Sequence, residues 1–258
     1  MKKQKQPRVV IITGASHGIG LATKEYFEKR GDIVHDISRT SGTDITKPDQ
    51  VAATIAKIHA EHNRIDVFIN NAGFGISGSS EATTVEDINK LMSVNFTGTA
   101  ICCSAVLPYM RAQKSGKIIN VSSAAAVFAL HYPSFYSASK AAVTSYSTAL
   151  RREVASFGVR VCSALPGDVK TDFTAARKKN ANEPEAYAAR VEKAIAKYEH
   201  DELVKGGKPI TIAKQLYKIS KKRNPKPYII LGFKYKLLNF LTRFLPTRFV
   251  NWILGTMY

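Results

Sequence analysis

Cysteine is scarce in this chain of 258 residues. Only Cys102, Cys103 and Cys162 are present, an odd number without metal-ligand spacing. That excludes a disulfide framework and a cysteine-based metal site, and leaves small buried hydrophobes in a reducing cytoplasm. The six histidines are scattered singly and make no ligand set, so no metal is expected. No apolar run approaches the length of a membrane-spanning helix. The basic start, residues 1–8, runs into the first apolar strand without the separate apolar stretch of a signal peptide. Internal repeats and low-complexity tracts are also missing. A chain of this length suits one domain with one large core, residues 1–258.

Acid is missing where base is abundant. Residues 205–258 hold twelve Lys/Arg and no Asp/Glu, within a chain of net charge +18. The same stretch is aromatic, with Phe233, Tyr235, Phe240, Phe244, Phe249, Trp252 and Tyr258. Its apolar spacing predicts a helix over 237–245, stopped by Pro246, and a second short helix over 247–254. Residues 233–258 therefore read as a basic helical tail. Three roles fit it: packing on the domain or a partner subunit, lying on an anionic membrane surface, or guiding an anionic substrate. No nucleic-acid partner is expected, since no recognition motif accompanies the charge.

What is present is a strict alternation. Apolar strand patterns at 9–13, 33–38, 65–70, 117–121, 159–164 and 228–231 alternate with helical patterns at 19–30, 48–62, 86–113, 134–157 and 210–222. This predicts an α/β fold: a doubly wound parallel sheet of the Rossmann type in three layers, α/β/α, with the site at the carboxyl ends of the strands. After the first strand comes Thr13-Gly14-Ala15-Ser16-His17-Gly18-Ile19-Gly20, opening a helix. Glycines there let the backbone turn tightly and a pyrophosphate approach, while the helix start offers free N–H groups. The second strand ends at Ser38, followed by Arg39, with no carboxylate at that position. An arginine there suits a ribose 2′-phosphate, so NADP(H) is preferred and NAD(H) is possible. Asp36 is the rival, if the strand end is displaced.

Tyr136 and Lys140 stand four residues apart, thirteen residues after Ser123. On a helix, positions i and i+4 share a face. A fixed ammonium there would favour the phenolate and lower the Tyr136 pKa, giving a general acid/base useful near neutral pH. Ser122 is the nearest rival of Ser123, and the offset to Tyr136 favours Ser123.

Taken together these residues resemble the short-chain dehydrogenase/reductase family, closely over residues 8–172 and in outline beyond. The glycine loop, with Gly14, Ser16, His17, Gly18, Ile19 and Gly20 on the cofactor, looks like the family's T-G-x-x-x-G-I-G. Asp44 and Ile45 resemble its adenine-contacting pair. Asn70, Asn71, Ala72 and Gly73 match its N-N-A-G segment, and Asn95 its helix asparagine. Ser123, Tyr136 and Lys140 match the catalytic trio. Pro166, Gly167, Asp168, Val169, Lys170 and Thr171 resemble its P-G-x-V-x-T turn, whose threonine meets the nicotinamide carboxamide.

The resemblance implies roles. Tyr136 passes a proton to or from the substrate oxygen. Lys140 binds the nicotinamide ribose and depresses the Tyr136 pKa. Ser123 holds the substrate oxygen, and Asn95 holds a relay water. It also implies a mobile substrate flap at 172–207 and a homodimer or homotetramer. The tail and the missing D-G-G turn look like the hydroxysteroid and retinol dehydrogenase branch. The expected activity is NADP(H)-dependent interconversion of a secondary alcohol and a ketone on a hydrophobic, steroid- or bile-acid-like molecule. A reductase of 3-oxoacyl thioesters or small carbonyls, and a non-catalytic NADP(H)-binding regulator, are the alternatives. The cleft is expected between Phe74, Gly75 and Ile76, residues 128–132, and Gly167 with Asp168. Phe128, His131 and Asp168 are its candidate substrate contacts. The expected location is cytoplasmic, with peripheral membrane contact through the tail.

Overall fold

The computed structural model describes residues 6–242 and 244–257; residues 1–5, Arg243 and Tyr258, parts of the basic start and aromatic tail, lie outside the described residues. The first apolar run is β1 (Val9–Thr13), buried at every position. Next come α1 (Gly18–Glu28), β2 (Ile33–Ile37), α2 (Pro48–His62), β3 (Val67–Asn70), the two-residue β4 (Ile76–Ser77), α3 (Val85–Met92) and α4 (Gly98–Ala112). They are followed by β5 (Gly116–Val121), α5 (Ser134–Glu153), β6 (Val159–Pro166), the two-residue β7 (Lys178–Lys179), α6 (Glu185–His200), α7 (Pro209–Lys221) and β8 (Tyr228–Leu231). Helices α8 (Phe233–Leu241) and α9 (Thr247–Met257) close the described chain.

The main sheet is parallel throughout, in the order β2-β1-β3-β5-β6-β8. Successive side chains of a strand point to opposite faces, and here each face has its own helices. Val9 and Ile11 pack with Val51 and Ile55 of α2 and with Cys102, Cys103 and Val106 of α4. Val10 and Ile12 pack with Phe27 of α1 and with Ile212 and Leu216 of α7. The three-layer sandwich thus follows from strands that are apolar on both sides. Chain order reverses between β1 and β3, so the crevice at their carboxyl ends is the natural ligand site of this topology. All three cysteines are buried; burial raises the Cys103 and Cys162 thiols to about 12.

Four features depart from the sequence expectations. The helix expected over 86–113 contains a π-helical turn, Ser93–Thr97, between α3 and α4. The run Val85–Ala112 is long and apolar enough, by length and composition, to cross a membrane, although no unbroken apolar stretch announces it. Its Leu91, Asn95, Cys102, Cys103, Val106 and Met110 are nevertheless buried within the protein. The alanine-rich stretch 172–207 contains a helix, α6, and a short parallel ladder of β7 with β4. Finally, two histidines meet: His35 Nε2 lies 2.8 Å from His62 Nε2. Together with Glu61 they set three potential metal-ligand atoms within 4.8 Å of one another. Residues 27 positions apart are joined there only by the packing of α2 against β2.

A buried polar chain fixes α5 to the sheet. Asn70 Nδ2 donates to Asn120 Oδ1 at 2.8 Å, and Asn120 Nδ2 donates to Ser147 Oγ at 2.8 Å. Asn120→Ala removes a hydrogen bond from each neighbour in the core, although Ser147 keeps the Val143 carbonyl and Asn70 keeps Cys103. The expected cost is about 1–3 kcal/mol, read as a lower urea midpoint with an unchanged slope.

Candidate active site

The glycine loop is held by its backbone. Gly14 and Gly18 have φ of 67° and 58°, a region that glycine enters at little cost. A Cβ on Gly20 would stand 2.1 Å from the Gly14 carbonyl oxygen and 2.6 Å from Asn71 Nδ2. Asn71 Nδ2 donates to the carbonyls of Thr13 and Gly14 at 3.2 and 3.1 Å. Thr13 Oγ1 accepts from the amides of Asn71 and Ala72 at 2.9 and 3.0 Å. Helix α1 starts without a side-chain cap at His17, so its first N–H groups are left for an anion. The Ser16 hydroxyl and His17 Nδ1 are 2.8 Å apart. A Cβ on Gly18 would lie 3.5 Å from Thr171 Cβ, so the loop faces the turn after β6. This cradle, open at the backbone and walled by glycine, fits a dinucleotide.

At the end of β2, Ser38 is buried and its hydroxyl donates to Asp36 Oδ2 at 2.7 Å. Asp36 Oδ1 accepts from the Ala15 amide at 2.9 Å. The rival carboxylate is therefore tied to the glycine loop, while Arg39 is exposed at the start of the next turn. Asp44 accepts from the Thr46 amide and hydroxyl at 2.9 and 2.8 Å, and these bonds hold its carboxyl below the usual range. Ile45 packs against Gly98, where a Cβ would come within 2.8 Å.

The π-helical turn brings Asn95 into the site. Its Oδ1 accepts from the Phe74 amide at 3.0 Å, and its Nδ2 donates to the Phe74 carbonyl at 2.9 Å and to Ser139 Oγ at 3.0 Å. A Cβ on Gly73 would stand 3.0 Å from Asn95 Oδ1 and 3.3 Å from Lys140 Nζ. Gly73, Asn95 and Lys140 thus share one corner. Lys140 is buried and Nζ donates to the Val121 carbonyl at 3.1 Å. Desolvation lowers its pKa to about 8.

The two serines divide their work. Ser122 Oγ donates to the Lys140 carbonyl at 2.7 Å and accepts from Thr144 at 2.8 Å, which turns it towards α5. Ser123 Oγ accepts from the Ala125 amide at 3.1 Å, and its hydroxyl lies close enough to Tyr136 to favour the phenolate. The Lys140 ammonium lies 5.8 Å from the Tyr136 ring centroid. The expected depression of the Tyr136 pKa is not found here. Burial raises it above the ordinary phenol value, and the Ser123 hydrogen bond and the Arg177 charge offset this only in part. The ammonium is turned to a carbonyl instead of the phenol oxygen.

Four residues not anticipated from the sequence cover this corner. The Phe173 ring lies 5.7 Å from the Tyr136 ring, with the Arg177 guanidinium 5.8 Å from the Phe173 centroid. Arg177 donates to Glu202 Oε1 at 2.6 Å, and Thr174 Oγ1 donates to Glu202 Oε2 at 2.5 Å. A Cβ on Gly75 would stand 3.3 Å from both Arg177 Nε and the Phe173 ring. Opposite charges 25 positions apart in an alanine-rich stretch carry no local signal of pairing.

The remaining candidates are partly committed elsewhere. Pro166 ends β6, and Val169 bridges to Gly207. A Cβ on Gly167 would stand 2.0 Å from the Tyr235 ring. Asp168 Oδ2 accepts from the Tyr235 hydroxyl at 2.5 Å, so its carboxylate faces α8. Phe128 is buried with Ala124, Leu165 and Ile230, against Tyr235 and Leu238, and not along an open cleft wall. The His131 ring lies 5.0 Å from Tyr132 and 6.1 Å from Tyr198. Its carbonyl accepts from Tyr198 at 3.1 Å.

Known proteins agree with this geometry. The family model described as short chain dehydrogenase matches residues 39–182. A 3-ketodihydrosphingosine reductase of Bacteroides thetaiotaomicron is 39% identical over 232 residues, covering 85% of this chain and 86% of that protein. A short-chain dehydrogenase from Streptomyces avermitilis superposes with a TM-score of 0.78 at 29% identity, covering 92% of both chains. ElxO, solved with NADP bound, superposes with a TM-score of 0.72 at 25% identity, over 87% of this chain and 96% of its own.

The buried ammonium has a measurable consequence. Because its folded pKa is about 8 against 10.5 for an ordinary lysine, the unfolded chain binds more protons between these values. Lys140 therefore adds stability as pH rises through that window and burdens the fold below it. Lys140→Met should gain thermal stability over the wild type near neutral pH, with the gap narrowing towards pH 10; scans of the cofactor-free protein check it.

Proposed function

Since this chain belongs to the short-chain dehydrogenase/reductase family, NAD(P)-dependent oxidoreductases acting on CH–OH groups, we propose that it reduces a ketone on a long-chain lipid with NADPH. The observation that carries this reading is Tyr136. Burial raises its pKa, and the Ser123 hydroxyl beside it offsets this only in part; this favours the protonated phenol, the form needed to give a proton to a carbonyl oxygen. Ser123 holds that oxygen beside the phenol. Lys140 and Asn95, with Gly73 between them, line the nicotinamide side, where Lys140 meets the ribose and links Tyr136 to a proton supply. When bound, the nicotinamide supplies hydride, and the protein positions it.

The cofactor rests on three groups of residues. Gly14, Ser16, His17, Gly18, Ile19 and Gly20 cradle the pyrophosphate. Ser38 and Arg39 face the adenosine ribose, with Asp44 and Ile45 beside the adenine. Asn71, Ala72 and Gly73 border the nicotinamide half, and Pro166, Gly167, Val169 and Thr171 close it from the other side. Arg39 is the reason for preferring NADPH, because Asp36, which would select a free ribose hydroxyl, already accepts two hydrogen bonds.

The substrate class draws on the relative that is 39% identical over 85% of this chain, a 3-ketodihydrosphingosine reductase. The steroid- or bile-acid-like substrate has in its favour the tail, the missing D-G-G turn and the aromatic cleft residues, of which Phe128 is packed in the core. Residues 172–207 act as the substrate flap of a single catalytic domain, with Phe173 and Arg177 as its inner face.

Two results follow. Tyr136→Phe should lower kcat by about 10²–10⁴-fold while NADPH still quenches or enhances fluorescence as in the wild type; retained turnover overturns the assignment. Arg39→Ala should weaken NADPH by about 10–100-fold, the worth of a charge-assisted hydrogen bond, and leave NADH unchanged. Equal weakening in titrations with both cofactors would place the 2′-phosphate elsewhere.

A further inference from the structure

Helix α8 has two faces. Tyr235 and Leu238 point inwards, packed on Phe128, Ala124, Leu165 and Ile230, and Tyr235 also lies over Gly167 and bonds Asp168. The opposite face carries Phe233, Leu237, Phe240 and Leu241, all exposed, and Phe244 just past the end of the helix is exposed as well. The spacing of the four helical residues, four, three and one, is that of a single helical stripe. Phe233 is 81% exposed and Phe244 73%, unusual for residues that bury whenever they can. Helix α9 extends the surface with Phe249 and Trp252, stacked at 5.8 Å, and Trp252 is 63% exposed.

Charge identifies what covers this stripe. Lys234 and Lys236 stand on α8, Arg248 on α9, and no Asp or Glu occurs anywhere in residues 205–258. Lys236 and Lys226 also line one groove of about 350 Å³ between α8 and β8. A second copy of the chain docked through the same stripe would set cation against cation. An anionic bilayer satisfies both components at once: the aromatics enter the headgroup boundary and the lysines meet lipid phosphates.

We infer that α8 and α9 form a docking surface for an anionic phospholipid membrane. Because the inner face of α8 packs beside the P-G-x-V-x-T turn, docking also sets the mouth of the cleft against the bilayer. A lipid ketone can then pass from membrane to site along α8 without crossing water. This second step rests on the lipid substrate proposed above; the docking surface does not.

The test sediments the full-length protein with vesicles of phosphatidylcholine alone or mixed with phosphatidylglycerol. The wild type should pellet with the mixed vesicles, less so at high salt. The variant Phe240→Ser/Phe244→Ser/Trp252→Ser changes only exposed side chains and should bind NADPH normally. Its vesicle partitioning should fall about tenfold or more. A wild type that stays in the supernatant overturns the docking surface. So does a triple variant that pellets as before, or one whose solution mass drops to a smaller oligomer, which would assign the stripe to a second copy. For delivery, kcat/KM on a long-chain ketone carried in mixed vesicles should fall about tenfold in the triple variant, with a short water-soluble ketone unaffected. Equal turnover of both ketones by both proteins overturns delivery. Wild-type protein that pellets but turns over only short ketones counts against the lipid substrate and leaves the surface standing.

Discussion

An ammonium buried beneath the active site is the constraint around which the catalytic corner is arranged. Taking the charge of Lys140 out of water is costly unless it is compensated, and the structure supplies the Val121 carbonyl at the end of β5. That contact sets the depth and rotation of α5 against the sheet. The polar chain from Asn70 through Asn120 to Ser147 fixes the same helix farther along. Ser122 does so beside it, bonding the Lys140 carbonyl. With α5 so held, Tyr136 can face Ser123 in only one way. Side chains on a helix and just past a strand end, each with its own backbone anchor, are more firmly placed than those on loops.

The surroundings of Tyr136 explain its protonation. Desolvation outweighs the hydrogen bond from Ser123 and the field of Arg177, and the phenol stays neutral. Phe173 lies against Tyr136, with ring centroids 5.7 Å apart, and belongs to 172–207, a stretch tied to the rest of the protein at several points. The Lys178 amide donates to Gly75 and the Asn180 amide to Ser77, at 3.0 and 3.1 Å. Glu183 accepts from the Ser79 amide at 3.0 Å. These bonds suspend the cover from the segment that follows the N-N-A-G loop. The ion pair of Arg177 with Glu202, both largely buried at 7% and 18% side-chain exposure, then closes it from above. A buried pair of this kind contributes definition of geometry more than stability.

Much of this architecture was legible beforehand. Strands apolar on both faces, such as Val9 to Ile12, require helices on both sides of a parallel sheet, and periodicity alone carries that information. The glycine loop was legible because its spacing reports backbone conformation: Gly14 and Gly18 do adopt positive φ. Less legible was α6, whose alanines and alternating charges give only a weak apolar face before something packs on it. The π-helical turn at Asn95 was invisible, since one extra residue in a turn leaves the apolar pattern nearly intact. His35 and His62 looked isolated because their meeting depends on how α2 crosses β2.

The sequence by itself determined the fold class, the family and which side chains can do chemistry, because short-range spacing encodes helix faces, strand periods and glycine turns. Tertiary structure decided what those side chains are worth. It showed that burial raises rather than lowers the Tyr136 pKa, that Asp36 and Asp168 are already engaged, and that Phe128 belongs to the core. It also left one face of α8 in solvent while the other packs on the cluster of Phe128, Leu165 and Ile230. Each outcome depends on desolvation and on partners far apart in the chain, and neither is a property of neighbouring residues.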